Sequence, residues 1–272
     1  MFKKALGLTL LLSLPLLAQE PSETSEEENQ PAEQKKPEIK KINENEYLIG
    51  KIHLDKTTRE ASFGAGVNMT EGLLEYLLAT TQSSKVHETL FLTDISPFNL
   101  KIAMKLLGIK ESQELFEIRD KETWKLTGKF PAVTPEVHAA SLVDILIEWG
   151  EGAEKKRLPV HELIHHIEWP DDTETPQPNQ EIETEKLPLT VMESGPWLST
   201  GSYLYEGQLK AEVGGLILAI YTAEQALVNF PGKDRNQGDV WIPNIQTVPP
   251  INTVVKVIIK LHTSLETKTP KK

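Results

Sequence analysis

The segment His161-Glu162-Leu163-Ile164-His165 has the spacing of a zinc-protease motif. Two histidines four residues apart on a helix can bind Zn²⁺, and the glutamate between them acts as general base. Pro159 and Pro170 restrict such a helix to about two and a half turns. The alternative is a short amphipathic turn with solvated histidines, in which any metal binding is adventitious. A zinc-dependent hydrolase that uses His161, Glu162 and His165 is therefore our second hypothesis for function.

A third metal ligand would have to come from the proline-rich acidic loop at 170–188, which contains Glu181, Glu183 and Glu185. A catalytic zinc needs three protein ligands and an open position. Because no second helix is predicted in this loop, the set of zinc ligands is incomplete.

Charged residues also cluster in the amino-terminal half. Glu71 and Glu75 are four residues apart and would form a carboxylate pair on a helix, as in glycosidases. The apolar run that follows Glu75 favours a strand instead. Lys85, His87 and Glu88 fall in a predicted strand, where alternation places Glu88 on the opposite face from the other two. Neither group predicts a complete acid–base pair.

Glycine and serine motifs are weaker still. Gly64-Ala65-Gly66 lacks the third glycine of a dinucleotide-binding loop and is interpreted as a turn or bulge. The Ser199-Thr200-Gly201-Ser202 segment lacks the Gly-x-Ser-x-Gly frame of a nucleophile elbow.

Composition excludes several classes of site. The chain of 272 residues has no cysteine, which rules out disulfides, zinc–thiolate sites and cysteine-ligated iron–sulfur clusters. Its formal charge is −11, from 29 basic and 40 acidic residues. Nucleic acid is not an expected partner, because phosphate neutralisation requires a basic face.

The amino terminus predicts export. Residues 1–18 combine Lys3 and Lys4 with an apolar run and a small residue, Ala18, as in a cleavable signal peptide. The run is too short to span a bilayer, and we expect no membrane span after its removal. Residues 19–46 form a predicted disordered acidic spacer, 47–263 the folded domain and 264–272 a disordered tail. The expected location is the bacterial periplasm or the medium.

The folded part is predicted to be α+β, with a largely antiparallel sheet and a few short helices. Alternating residues from Tyr47 predict hairpins, and Ser96-Pro97 predicts the start of a helix that ends at Gly108. Further strands are expected at 140–149, 189–192, 197–202, 211–221 and 253–261, and short helices near 159–169 and 222–227.

Several strings together resemble the YdjY-domain family of exported bacterial proteins. In the first half these are Asn68–Gly72 with Leu74–Leu77, Lys85–Glu88, and Ser96-Pro97 with the helix that ends Leu106-Leu107-Gly108. In the second half they are Trp197–Ser202, Ala211-Glu212 with Gly214, Asn229, and Val248–Pro250 with Thr253-Val254. The resemblance covers about 47–261. It implies an exported domain with no established activity to transfer.

The residues and the resemblance together select seven polar side chains as candidate binding residues: Glu71, Glu75, Lys85, His87, Glu88, Ser202 and Glu212. The alternative is that they support the fold through turns and buried hydrogen bonds. The leading hypothesis is a non-catalytic binding or structural domain of the bacterial envelope, without a cofactor, whose partner could be another envelope protein.

Overall fold

A computed structural model describes residues 37–169 and 188–263. The strands in these residues are β1 (Ile39–Lys41), β2 (Glu46–Ile49), β3 (Ile52–Asp55), β4 (Glu60–Val67), β5 (Tyr76–Thr80), β6 (Thr89–Thr93), β7 (Leu142–Trp149), β8 (Lys156–Pro159), β9 (Ile164–Ile167), β10 (Leu189–Val191), β11 (Trp197–Ser199), β12 (Leu204–Tyr205), β13 (Gln208–Leu209), β14 (Leu216–Ala219), β15 (Val228–Asn229), β16 (Trp241–Pro243) and β17 (Val254–Leu261). The helices are α1 (Pro97–Leu106), α2 (Pro135–Ser141) and α3 (Lys210–Gly214).

Eight strands close into a mixed barrel, in the order β4-β17-β7-β11-β15-β14-β5-β6, with β6 returning to β4. The longest ladders join β17 to β4 and to β7. Val257 lies opposite Ile147 in the β17–β7 ladder, and Ile259 lies opposite Ile145. All four side chains are buried in one core, as strand alternation requires of an inward face.

The α+β prediction is wrong: the described part of the chain is mostly β, with a closed barrel and three short helices. Residues expected to form a helix near 159–169 form a 3-10 turn, Val160–Leu163, and then strand β9. Strand β9 lies between β10 and β16, and this pairing, with Ile164 and Ile167 buried, overrides the helical pattern.

The expected helix at 222–227 is also absent from the described structure, which has turns there. The buried Asn229 side chain accepts a hydrogen bond from the Ala223 backbone N–H at 2.8 Å and donates one to the Ala223 carbonyl at 3.1 Å. These bonds compete with the helical pattern and fix the turn.

Strand pairing differs from the prediction as well. The sheet was predicted to be largely antiparallel, but strands β5 and β6 pair in parallel, with Leu78 opposite Phe91. The predicted strand at 211–221 divides into α3 and β14, because Gly215 ends the helix with φ 69°. Helix α1 has the predicted Ser96 cap and Pro97 start.

The sheet begins before Tyr47. Strand β1 lies inside the predicted spacer 19–46 and pairs with β2, with Ile39 opposite Ile49. The predicted signal peptide, residues 19–36 of the predicted spacer, the loop at 170–187 and the tail 264–272 lie outside the described residues. Within the described ranges, no helix has the length and apolar character needed to cross a membrane.

Candidate functional site

Three of the predicted binding residues meet at the amino-terminal ends of the parallel strands β5 and β6. Lys85 Nζ lies 2.5 Å from Glu88 Oε1 and 3.5 Å from Glu75 Oε2. The Glu75 backbone N–H donates to the Glu88 carbonyl at 3.1 Å, which joins the two segments. The Glu88 and Glu75 side chains are 16% and 26% exposed, so one lysine serves two half-buried carboxylates.

The electrostatics of this cluster follow from burial and from like charge. Burial raises the pKa of Glu75, and the neighbouring Glu88 carboxylate raises it further, while Lys85 acts in the opposite direction. The hydrogen bond to Glu88 raises the pKa of Lys85. Burial also raises the pKa of Tyr76, whose ring centroid lies 5.9 Å from Lys85 Nζ. The cluster therefore disfavours a second negative charge at Glu75.

The predicted strand alternation at Lys85, His87 and Glu88 is wrong. Residues Val86–Glu88 form a 3-10 turn, which brings Glu88 back to Lys85 three positions earlier. His87 is exposed, with Nε2 3.9 Å from Glu88 Oε1. Glu71 is exposed on the loop before β5. The two carboxylates that share Lys85 are therefore Glu75 and Glu88, rather than the Glu71–Glu75 pair that a helix would have formed.

Ser202 and Glu212 act at helix termini. The Ser202 hydroxyl accepts a hydrogen bond from the Ala211 backbone N–H at 3.0 Å, in the first turn of α3. Glu212 Oε2 accepts hydrogen bonds from the Ser96 hydroxyl at 2.9 Å and from the Phe98 backbone N–H at 2.8 Å, at the start of α1. Both side chains satisfy backbone donors, which is the structural alternative for these two residues.

The two motif histidines lie on different elements. His161 is in the 3-10 turn and His165 is in strand β9, so the helical i, i+4 geometry that the zinc hypothesis requires is not formed. Burial lowers the pKa of His165. Across residues 37–169 and 188–263, no three His, Asp or Glu side chains are grouped so that they could hold a metal ion.

The neighbouring His166 makes a contact that the sequence did not indicate. Its Nε2 lies 3.0 Å from Asp234 Oδ2, and its ring packs edge-on against Trp241 with centroids 4.8 Å apart. Asp234 lies in the loop before β16, far away in sequence, so only the fold could reveal this pair.

A groove of about 580 Å³ opens along β4 beside the end of β6, and we call it the β4 groove. Strand β4 contributes Gly64–Val67, and the end of β6 contributes Leu92 and Thr93. A Cβ atom placed on Gly64 or Gly66 would meet nothing within 4 Å, so these glycines leave the space above the strand open. The volume falls within the range of small-molecule sites.

The β4 groove forms because one edge of β4 serves two partners. Residues 60–62 pair with β3, and Gly66 and Val67 pair with β6. Gly64 lies between these two ladders, and its carbonyl accepts a hydrogen bond from Thr93 Oγ1 at 2.7 Å. Lys51, just before β3, forms an ion pair with Asp94, just after β6, across this gap. Both side chains are exposed, so a ligand in the groove can reach them.

The groove also lies at the carboxyl ends of β5 and β6. Thr81 follows β5, and Thr93 and Asp94 end and follow β6; all three line the groove. Loops at the carboxyl ends of parallel strands are a common position for ligand sites in open α/β sheets. The remaining polar lining comes from Asn68 and Asn252.

Sequence reasoning missed this site. The Gly64-Ala65-Gly66 segment was interpreted as a turn or bulge, but it forms the middle of a long strand. Glycine within a strand can mark close approach of a ligand, and this was the available signal.

No protein-family model, curated protein or solved structure matches this chain.

Proposed function

We propose that the chain is a non-catalytic binding domain of the bacterial envelope that holds a small ligand in the β4 groove. The observation that supports this most is the open space above Gly64 and Gly66, beside the carboxyl ends of two parallel strands. Glycines at these positions weaken the strand, and they are useful where another molecule approaches the backbone closely.

The chemistry of the lining favours binding over catalysis. Among the described residues that line the groove, the charged side chains are Lys51 and Asp94, and they contact each other. The hydroxyls of Thr81 and Thr93 have no histidine beside them in this lining, so neither is equipped as an activated nucleophile.

The same lining suggests the class of ligand. Lys51 and Asp94 offer one charge of each sign at the rim, Asn252 offers an amide, and Val254 and Ile95 offer apolar surface. A zwitterion with an apolar side chain can exchange the exposed ion pair for two ion pairs of its own. Free amino acids and dipeptides are therefore the class of ligand we propose.

Export and family are parts of the same proposal. The signal-peptide pattern at 1–18 supports a periplasmic or secreted location, and the strings between 47 and 261 support a place among YdjY-domain proteins. A structural role within the envelope, in contact with another envelope protein, is the related possibility that these features also support.

Binding can be tested on the chain from Gln19 to Lys272 with a panel of amino acids and dipeptides, first by thermal shift and then by calorimetry. Gly64→Val places a side chain in the groove, at a position where an added Cβ meets nothing within 4 Å. The control is Thr190→Val, which places the same valine side chain at an exposed strand position on β10, outside the lining of the groove.

We expect at least one compound to bind the parent, and Gly64→Val to weaken that binding about tenfold or more while Thr190→Val leaves it unchanged. Equal binding by the Gly64→Val protein would place the ligand elsewhere. A panel without any binder would contradict the proposed ligand class.

A further inference from the structure

A second feature, independent of the β4 groove, lies in the chain segment that connects α1 to α2. Residues 118–129 form a hairpin, which we call the 118–129 hairpin. The Ile118 backbone N–H donates to the Lys129 carbonyl at 2.7 Å, and the Thr127 N–H donates to the Ile118 carbonyl at 3.0 Å. Nearer the tip, the Asp120 N–H donates to the Lys125 carbonyl at 2.8 Å.

The tip of the hairpin is held in one conformation by its own side chains. Asp120 Oδ1 accepts hydrogen bonds from the Thr123 backbone N–H at 2.8 Å, the Thr123 hydroxyl at 2.9 Å and the Glu122 N–H at 3.1 Å. Trp124 has φ 58°, a region that bulky residues rarely adopt. These hydrogen bonds therefore fix the backbone of the turn that carries Trp124.

The hairpin exposes apolar side chains that the domain does not cover. Every residue from Ile118 to Phe130 is exposed, and Trp124 and Leu126 are 74% and 55% exposed. Ile118 and Phe130 are large exposed apolar residues at its base. Apolar residues concentrated on a projecting ribbon mark an interaction site more strongly than the same residues scattered over a surface.

The hairpin also has the opposite charge to the rest of the chain. Residues 118–130 contain four basic side chains, Arg119, Lys121, Lys125 and Lys129, against the acidic Asp120 and Glu122. Subtracting these from the totals of 29 and 40 leaves 25 basic and 38 acidic residues elsewhere. An anionic surface is therefore attracted to this hairpin and repelled by the remainder.

We propose that the 118–129 hairpin docks the protein on an anionic lipid surface, with Trp124 and Leu126 entering the interfacial region and the lysines contacting phosphate. Tryptophan is enriched at this depth, and lysine stems extend along apolar surface while their ammonium groups stay in water. An acidic protein partner is a poorer fit, because a projecting two-stranded ribbon offers no concave surface and little area to bury.

The test is co-sedimentation of the Gln19–Lys272 chain with vesicles of phosphatidylcholine alone or mixed with phosphatidylglycerol. Trp124→Ser with Leu126→Ser removes the apolar tip, and Lys121→Ser with Lys125→Ser removes charge. Leu204→Ser is the control, because Leu204 is 66% exposed on the separate β12–β13 hairpin. Thermal unfolding of each variant checks that the fold is retained.

We expect the parent to bind only to vesicles that contain phosphatidylglycerol. The affinity should fall about tenfold in the apolar double variant and by a similar factor in the lysine double variant. Leu204→Ser should bind as the parent does. Lipids brominated near the headgroup should quench the tryptophan fluorescence of the parent. The quenching should be lost in Trp124→Phe, which lacks the indole at the tip. The proposal fails if the parent does not sediment with anionic vesicles, or if the apolar variant binds as well as the parent. Binding to an acidic peptide that survives Trp124→Ser and Leu126→Ser would likewise overturn it.

Discussion

Lys85 Nζ and Glu88 Oε1 lie 2.5 Å apart, at the two ends of one 3-10 turn. The same ammonium is 3.5 Å from Glu75 Oε2, so it is shared by two carboxylates that come from separate segments of the chain. The amino-terminal ends of β5 and β6 are thereby held together by one cation.

Replacing Lys85 with Met should destabilise the protein at pH 7 by about 1–3 kcal/mol, because two half-buried carboxylates then repel each other without a counter-charge. Urea unfolding measures this change. Lys105→Met, at an exposed lysine of α1 that is 3.5 Å from Glu111, is the control and should cost well under half as much. Equal losses in the two variants would show that the shared position of Lys85 adds nothing.

Glu75→Gln should change stability with pH in a defined direction. Burial and Glu88 raise the pKa of Glu75 above its usual 4.5 in the folded state, so the folded protein binds this proton more tightly than the unfolded chain does. The stability that this group contributes is present below pH 4.5 and is lost as the pH rises through the higher, folded value. The free energy of unfolding of Glu75→Gln, compared with that of the parent at the same pH, should therefore be higher at pH 7 than at pH 4. Urea unfolding at both values checks this, and a pH-independent difference would contradict it.

His165→Gln should reduce sensitivity to mild acid. Burial lowers the pKa of His165 below its usual 6.5, so the folded state resists protonation at this ring. The contribution of the neutral His165 ring to stability is fully present above pH 6.5. It is lost as the pH falls through the lower pKa that His165 has in the folded protein. Between pH 7.5 and 5, the melting temperature of the variant should fall less than that of the parent.

The sequence predicted those helices and strands that depend on residues close together in the chain. Ser96 and Pro97 start α1 as expected, because a capping hydroxyl and a proline at the first helical position act within one turn. The strands at 189–191 and 254–261 also lie where the apolar runs placed them. Barrel closure depends on Gly66 and Val67 meeting Leu92 and Phe91, and no local pattern encodes such a pairing.

The candidate residues divide in the same way. Glu75, Lys85 and Glu88 were selected from their residue types and from the family resemblance. Their convergence depends on a 3-10 turn in a segment that was predicted to be a strand. The β4 groove depends on β3 and β6 sharing one edge of β4, which sequence spacing cannot show. The local signal for the groove was the pair Gly64 and Gly66. Glycine in a turn indicates a backbone bend, whereas glycine within a strand can mark the close approach of a ligand.

Metal content provides a direct test of the motif at 161–165. Because His161 and His165 lie on a 3-10 turn and a strand, we expect the dialysed Gln19–Lys272 chain to retain much less than one zinc per molecule. Mass spectrometry of the metal content, beside a His161→Ala and His165→Ala double variant, measures this. Stoichiometric zinc in the parent and none in the variant would revive the hydrolase hypothesis.

Glu212 should contribute to stability through α1, although it belongs to α3. Its Oε2 accepts from the Ser96 hydroxyl and the Phe98 backbone N–H, so Glu212→Ala leaves a helix N-terminus without a carboxylate partner. We expect a loss of about 1 kcal/mol in urea unfolding, while Glu71→Ala, at an exposed loop position, changes stability by less than about 0.5 kcal/mol. Ser96→Ala combined with Glu212→Ala should cost less than the sum of the two single changes, because they remove one shared hydrogen bond. Strict additivity would mean that the two side chains act separately.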